Sequence, residues 1–280
     1  MTTIVFIHGR GQEGMDPKVL LQEWRTALAA GLGTPLDTRS VLPYYGNVLH
    51  KVTAEVAKRA DVLEPLPAAA SEEVPFHPFL PQDVGEIERG LLADMALTAG
   101  APPAVMMGIE DVLSWALARR MLAWVSQHTS VDKEIIKIFL QDVAVYLSHG
   151  RQPVLNEVRR FLPASGALVL VSHSLGTVVA RDLLVDESVR RRVAFWVTAG
   201  SPLGMPTIQR NLLAKGTKHP GVRWLTTYDV NDVVALGHPL ATTWGTPLSQ
   251  VEVENRDSPH AIDHYLRHRT VAAPIGIACR

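Results

Sequence analysis

Residues 167–180 read Ala167-Leu168-Val169-Leu170-Val171-Ser172-His173-Ser174-Leu175-Gly176-Thr177-Val178-Val179-Ala180, and this stretch decides the fold. An apolar run, Ala167–Val171, enters Ser172-His173-Ser174-Leu175-Gly176 and leaves into a second apolar segment. That is the pattern of a buried strand, a tight turn and a helix, with Ser174 at the apex. Strand and helix approach closely in such a turn, so small residues are needed two before and two after the apex. Gly176 fills the second place. Ser172 fills the first, where the usual G-x-S-x-G pattern has glycine. The turn lifts Ser174 Oγ out of the sheet and aims a helix N-terminus at any negative charge developing beside it. The plainer alternative is an ordinary turn in which Ser174 caps the helix.

Similar apolar runs at Ile4–Ile7, Val193–Thr198 and Val222–Thr227 lack alternation, which suits strands covered on both faces. Thr38–Tyr45 is a further strand candidate. Helical patterns lie between them. Asp16-Pro17 provides an N-cap and a first-turn proline, followed by Val19, Leu20, Trp24 and Leu28 before Gly31. Pro153–Leu162 reads as the helix feeding the Ser174 strand, and Val178–Leu184 as the helix leaving it. Strands alternating with helices predict an α/β fold with a doubly wound, mostly parallel sheet.

Residues 47–150 break that rhythm. A proline-rich stretch (Pro65, Pro67, Pro75, Pro78, Pro81) precedes helical patterns around Val84–Leu97 and Ile109–Leu147, with no strand signal. A connection this long carries structure of its own. It is read as a mainly helical insertion in a single domain, either a cap over the active edge or helices packed on one sheet face. Met106, Met107, Trp115, Met121 and Trp124 offer apolar surface for the roof of a substrate site, or for a helical core.

A chain of 280 residues with 47% hydrophobic and 20% charged residues is that of an ordinary globular protein. The net charge of −1 gives no basic surplus for nucleic acid, and Arg190-Arg191-Arg192 reads as the solvated end of a helix. Cys279 is the only cysteine, so no intrachain disulfide forms. With neither a signal-peptide core nor an apolar run of about 18 residues, a soluble, cytoplasmic protein is expected. Oligomeric state is left open.

A nucleophilic serine needs a base, an acid that orients the base, and donors for an oxyanion. After the Val222–Thr227 strand comes Tyr228-Asp229-Val230-Asn231-Asp232-Val233-Val234, which offers two carboxylates. Asp232 is preferred as the orienting acid because an apolar pair follows to plug it in place. Asp229 is the alternative, or a turn residue binding its own backbone. His260 follows Pro259 at a loop-to-helix junction and is the candidate base, while His264 and His268 read as surface residues of a terminal helix. Oxyanion donors are expected from the backbone N–H of Leu175 and of Arg10, in the loop His8-Gly9-Arg10-Gly11 after the first strand.

Together, Ile7-His8-Gly9, Ser172–Gly176, Asp232 and His260 resemble the α/β-hydrolase superfamily, most of all its bacterial serine esterase and lipase-like members. Thr198–Leu203 and His260–Leu266 are also similar to segments found there. The resemblance covers both ends of the chain but not 47–150. It implies an α/β-hydrolase fold, hydrolysis or acyl transfer without metal or organic cofactor, and a small-molecule ester or lipid-like substrate. A thioesterase or acyltransferase on the same triad is the enzyme alternative. A catalytically silent hydrolase-fold binding protein is the alternative of another class.

Overall fold

The computed structural model describes residues 1–61, 82–102, 125, 133–245 and 247–280. Two compact units divide the chain: residues 1–47 together with 153–280, and Val48–Gln152.

The first unit is built on six strands, all parallel: β1 (Thr3–Ile7), β2 (Ser40–Val41), β3 (Leu168–His173), β4 (Val193–Ala199), β5 (Trp224–Tyr228) and β6 (Leu248–Glu252). Their spatial order is β2-β1-β3-β4-β5-β6. From β1 the chain moves outward to β2, whereas from β3 it moves in the other direction through β4 to β6. Connections therefore diverge between the neighbours β1 and β3. In an open parallel sheet, that divergence leaves a crevice at the carboxyl ends of the two strands. The loop after β1 and the turn after β3 both open into it.

Helix α1 (Pro17–Leu32) starts as the sequence predicts, with Asp16 accepting from Lys18 N–H and proline in the first turn. It runs past Gly31, which lies inside the helix where it crosses the segment Leu266–Arg267, and stops at a left-handed Gly33. Helix α2 (Gly46–Asp61) leads out of the first unit. In the second unit, α3 (Gln82–Thr98) packs on α4 (Lys133–Val145) through buried Leu91, Leu92, Met95, Phe139 and Leu140, and a π-helical turn, Tyr146–Gly150, follows. That unit contributes no strand among its described residues. Met106, Met107, Trp115, Met121 and Trp124, and the prolines from Pro65 to Pro81, lie outside the described residues.

Helix α5 (Arg151–Phe161) returns the chain to β3, and α6 (Leu175–Leu183) leaves it. Beyond them come α7 (Glu187–Arg190), α8 (Pro206–Asn211), α9 (Ala241–Trp244), α10 (Ile262–Arg267) and α11 (Arg269–Ala278). The sheet alternates its side chains between two apolar layers. Ile4, Phe6, Val169, Val171 and Val197 pack with Trp24, Leu28, Leu266 and Ile275 of α1, α10 and α11. On another side, Trp196 of β4 stacks on Trp224 of β5 (4.4 Å between rings), which meets Trp244 edge-on at 5.3 Å. Each of these three indole N–H groups has an acceptor: Ser172 Oγ, Thr198 Oγ1 and Leu203 O.

One strand expectation changes, and β6 is a strand where none was expected. Within Thr38–Tyr45 only Ser40–Val41 pairs, since Pro43 lacks the N–H that would continue the ladder. β6 carries no continuous apolar run; it is a half-exposed edge strand with Leu248 and Val251 separated by polar residues. Among the described residues, no helix is long and apolar enough to cross a membrane.

Candidate active site

Ser174 sits between β3 and α6 with φ 53° and ψ −131°, a conformation that L-residues avoid. Close packing enforces it. A Cβ on Gly176 would lie 2.2 Å from Ile7 O and 2.3 Å from His8 O; one on Gly9 would lie 2.9 Å from Ser174 Cβ. The end of β1 therefore rests directly on the turn, and glycine alone leaves room at both places. Ser172 is not part of that contact. It is fully buried, donates to Val197 O (2.8 Å) and accepts from Trp196 Nε1 (2.9 Å), so the serine in the first motif position ties β3 to β4. Ser174 makes no side-chain cap to α6, which removes the ordinary-turn alternative. Thr177 closes the turn by donating to Ser174 O at 2.7 Å.

His260 lies between the two partners the sequence assigns it. Its Nε2 is 2.9 Å from Ser174 Oγ and its Nδ1 is 2.8 Å from Asp232 Oδ2. A carboxylate only accepts, so Nδ1 carries the proton and Nε2 accepts from the serine hydroxyl. Burial alone would raise the Asp232 carboxyl. His260 beside it and hydrogen bonds from His260, Tyr265 and Val234 N–H outweigh that and hold it below the usual range, so it is ionised near neutrality.

The second carboxylate, Asp229, does other work. It is buried, and accepts Asn231 N–H at 2.8 Å and Asn255 N–H at 2.5 Å. Asn255 in turn donates to Pro259 O at 2.9 Å and accepts from His264 through its carbonyl (2.9 Å) and from His268 through its side chain (3.0 Å). Asp229 and Asn255 thus anchor the loop that presents His260. His264 and His268 are half-buried members of this anchor, where the sequence suggests plain surface residues.

Two further residues complete the arrangement. Tyr265 donates its hydroxyl to Asp232 Oδ2 at 2.8 Å while accepting Asp229 N–H at 3.0 Å. His173 donates from Nε2 to His260 O at 2.8 Å, with the two rings 4.6 Å apart. Burial, then the neighbouring His260, pushes His173 down to about 3, so it stays neutral and adds no positive charge beside His260. Neither residue carries a sequence signal of its own: Tyr265 lies on α10, which follows the His260 loop, and His173 immediately precedes Ser174.

The loop after β1 is fixed by His8. Its Nδ1–H donates to Gly9 O at 2.7 Å, and its Nε2 accepts Tyr45 N–H at 3.1 Å. The Tyr45 hydroxyl donates to His8 O, and the two rings stack at 4.0 Å. Burial lowers His8 to about 4, keeping it neutral. Because the Gly9–Arg10 peptide is trans, anchoring its C=O on the His8 ring sends Arg10 N–H to the opposite edge. Leu175 N–H, the first of α6, has no intrahelical acceptor to reach.

Above Ser174 and His260 lies a cavity of about 1060 Å³, walled by the loop 8–12, the outer face of α1 and residues 260–263. Met15 and Val19 point exposed apolar surface at it (42% and 49% exposed). Val19, which helical spacing groups with the core residues Leu20, Trp24 and Leu28, is therefore a wall of the cleft. Among the described residues, no group of three or more His, Cys, Asp and Glu is placed to hold a metal ion.

No family model, no curated protein and no solved structure matches this chain.

Proposed function

We propose that the protein is a serine hydrolase of α/β-hydrolase type that cleaves a carboxylic ester through an acyl-enzyme. One observation carries this reading: Ser174 Oγ, His260 and Asp232 are joined by hydrogen bonds of 2.9 and 2.8 Å, with the serine on a strained strand-to-helix turn.

His260 Nε2 takes the hydroxyl proton as Ser174 Oγ bonds to the ester carbonyl carbon. The carbonyl oxygen becomes an oxyanion, held by the N–H groups of Leu175 and Arg10. Asp232 keeps the Nδ1–H tautomer and offsets the positive charge that His260 acquires. When the intermediate collapses, the alcohol oxygen leaves with the proton from His260. Water then attacks the acyl carbon while His260 takes its proton, and Ser174 recovers its own as the carboxylic acid departs.

The test is labelling by a fluorophosphonate and turnover of short p-nitrophenyl esters by wild type and Ser174→Ala. Loss of a triad member removes about 10⁴–10⁶ of the rate, so the variant is expected to stay folded, unlabelled and nearly inactive. Near-wild-type turnover in the variant, or no labelling of the wild type, overturns the mechanism. A parallel panel of acyl-thioesters and acceptor alcohols separates an esterase from a thioesterase or an acyltransferase.

A further inference from the structure

At the opposite edge of the sheet, where the strands begin, charge is distributed very unevenly. Between Ser188 and Tyr228 the sequence holds seven Lys and Arg and no Asp or Glu, in a chain of net charge −1. Arg192 immediately precedes β4 and Arg223 precedes β5, while Lys215 and Lys218 lie in the loop entering β5. Helix α5 brings Arg159 and Arg160 to the same edge. Hydrogen bonds show that these pieces adjoin. Arg192 donates to Pro163 O (2.6 Å) and Gly166 O (3.0 Å), Arg159 pairs with Asp186 (3.6 Å), and Arg181 donates to Lys218 O (3.0 Å). Glu157, half-buried, and Glu187, exposed, are held by Arg160 at 2.9 Å and Arg191 at 2.5 Å. Lys215, Lys218 and Arg223 are exposed, Arg223 with its guanidinium 5.4 Å over the Phe195 ring.

Apolar side chains are exposed at the same place. Phe161 ends α5, Val185 follows α6 and Leu213 follows α8; their exposures are 48%, 44% and 46%. Asp182 accepts Leu213 N–H at 2.8 Å, which sets Leu213 beside the end of α6 and near Val185. The Arg159–Asp186 pair joins that corner to the end of α5 and Phe161. A basic rim bearing apolar tips is the chemistry of a peripheral contact with an anionic bilayer, in which charge draws the surface in and the tips enter the headgroup layer. Nucleic acid would engage the cations and stack on the one aromatic ring, but has no use for Val185 and Leu213.

We propose that this edge docks the protein on an anionic lipid surface. The seven residues of β4 separate the two ends of the sheet by roughly 20 Å, so docking turns the Ser174 cleft away from the lipid. The inference stands whether or not Ser174 is a nucleophile.

The experiment is co-sedimentation with phosphatidylcholine vesicles, with and without phosphatidylserine, at low and high salt. Wild type should bind only the phosphatidylserine vesicles, and less as salt rises. Each basic side chain at such a surface is worth about fivefold in affinity, so a Lys215→Gln/Lys218→Gln/Arg223→Gln variant should bind roughly a hundredfold more weakly. Phe161→Ser/Leu213→Ser should weaken binding about tenfold and leave its salt dependence unchanged. Thermal midpoints near wild type confirm that each variant is folded, and single Lys218→Gln and Arg223→Gln variants replace any that is not. Absence of binding, equal binding to both vesicles, or full binding by the charge variants overturns the proposal. So does equal affinity for a single-stranded RNA oligomer that is insensitive to the apolar substitutions, which would make this edge a nucleic-acid surface.

Discussion

The Tyr265 hydroxyl donates to Oδ2 of Asp232, the same oxygen that holds His260 Nδ1, at the same distance of 2.8 Å. That carboxylate oxygen is therefore fixed from two directions, and the histidine ring turns on a stationary acceptor. Tyr265→Phe removes one anchor and leaves Asp229 N–H without its acceptor. The expected result is a fall of about tenfold in kcat with KM little changed, and a loss of about 1–3 kcal/mol in stability from the orphaned buried donor. Steady-state kinetics beside urea unfolding measure both, and unaltered kcat would remove Tyr265 from any positioning role.

Asp232→Asn should lower kcat by about 10³–10⁴, because an amide can favour the wrong imidazole tautomer. Asp229→Asn should act on a different quantity. Both of its bonds run to backbone N–H groups of the loops at residues 231 and 255, so its main cost is stability. Equal kinetic damage from the two substitutions would contradict the division of labour between the two carboxylates.

Restoring the common motif should harm this protein. Ser172→Gly strips the bridge between β3 and β4, leaving Trp196 Nε1–H buried without an acceptor and adding backbone freedom to a central strand. A loss of about 2–4 kcal/mol is expected. A midpoint at or above that of wild type in thermal unfolding would count against the bridge.

Val19→Phe places an aromatic ring in the cleft from an exposed position on α1. Stability should hold within about 0.5 kcal/mol, while hydrolysis of longer acyl esters falls more than that of acetate esters. A chain-length profile parallel to wild type would mean that the acyl group does not pass along α1.

His8 and His173 are neutral in the folded protein, with pKa values of about 4 and about 3, against 6.5 when unfolded. Below about pH 6.5 the unfolded chain binds more protons than the folded one, so stability falls as pH drops. Each histidine contributes at most about 1.4 kcal/mol per pH unit within its window, and the depressed Asp232 carboxyl adds a loss of the same sign at lower pH. The thermal midpoint should be level above neutrality and fall below about pH 6, more gently in His8→Asn. A midpoint that stays level down to pH 4 would show that these rings gain their protons without unfolding.

The sheet was legible because its strands announce themselves in different ways. β1, β3 and β4 are buried and read as mainly apolar runs, β5 is buried although Thr226 and Thr227 interrupt its apolar residues, and β6 is an edge whose polar residues face water. Ser174, Asp232 and His260 could be found because each follows a strand or begins a helix, where a turn offers few residues to choose from. Asn255 lies in the run Glu254-Asn255-Arg256-Asp257-Ser258, which looks like any solvated loop. Only the return of the chain past Asp229 buries it. Tyr265 and His173 escaped for a similar reason: an aromatic ring beside an active turn has the same sequence signature whether it fills space or carries a hydrogen bond. The basic edge is invisible in a net charge, which averages one end of the molecule against the other.

The backbone contact among Gly9, Ser174 and Gly176 sets a limit on how this protein can be altered. The end of β1 and the turn after β3 touch with nothing larger than the Ser174 Cβ between them, so their separation has no adjustable part. Walls such as Val19 and Met15 can change freely and reshape what enters the cleft. The joint cannot be tuned by one residue, since any added carbon pushes on two strands at once. If the proposed hydrolysis holds, a mutational library aimed at new substrates is best spent on α1 and the surrounding loops, and variants at positions 9 and 176 are expected to fall mostly in its unfolded or inactive fraction.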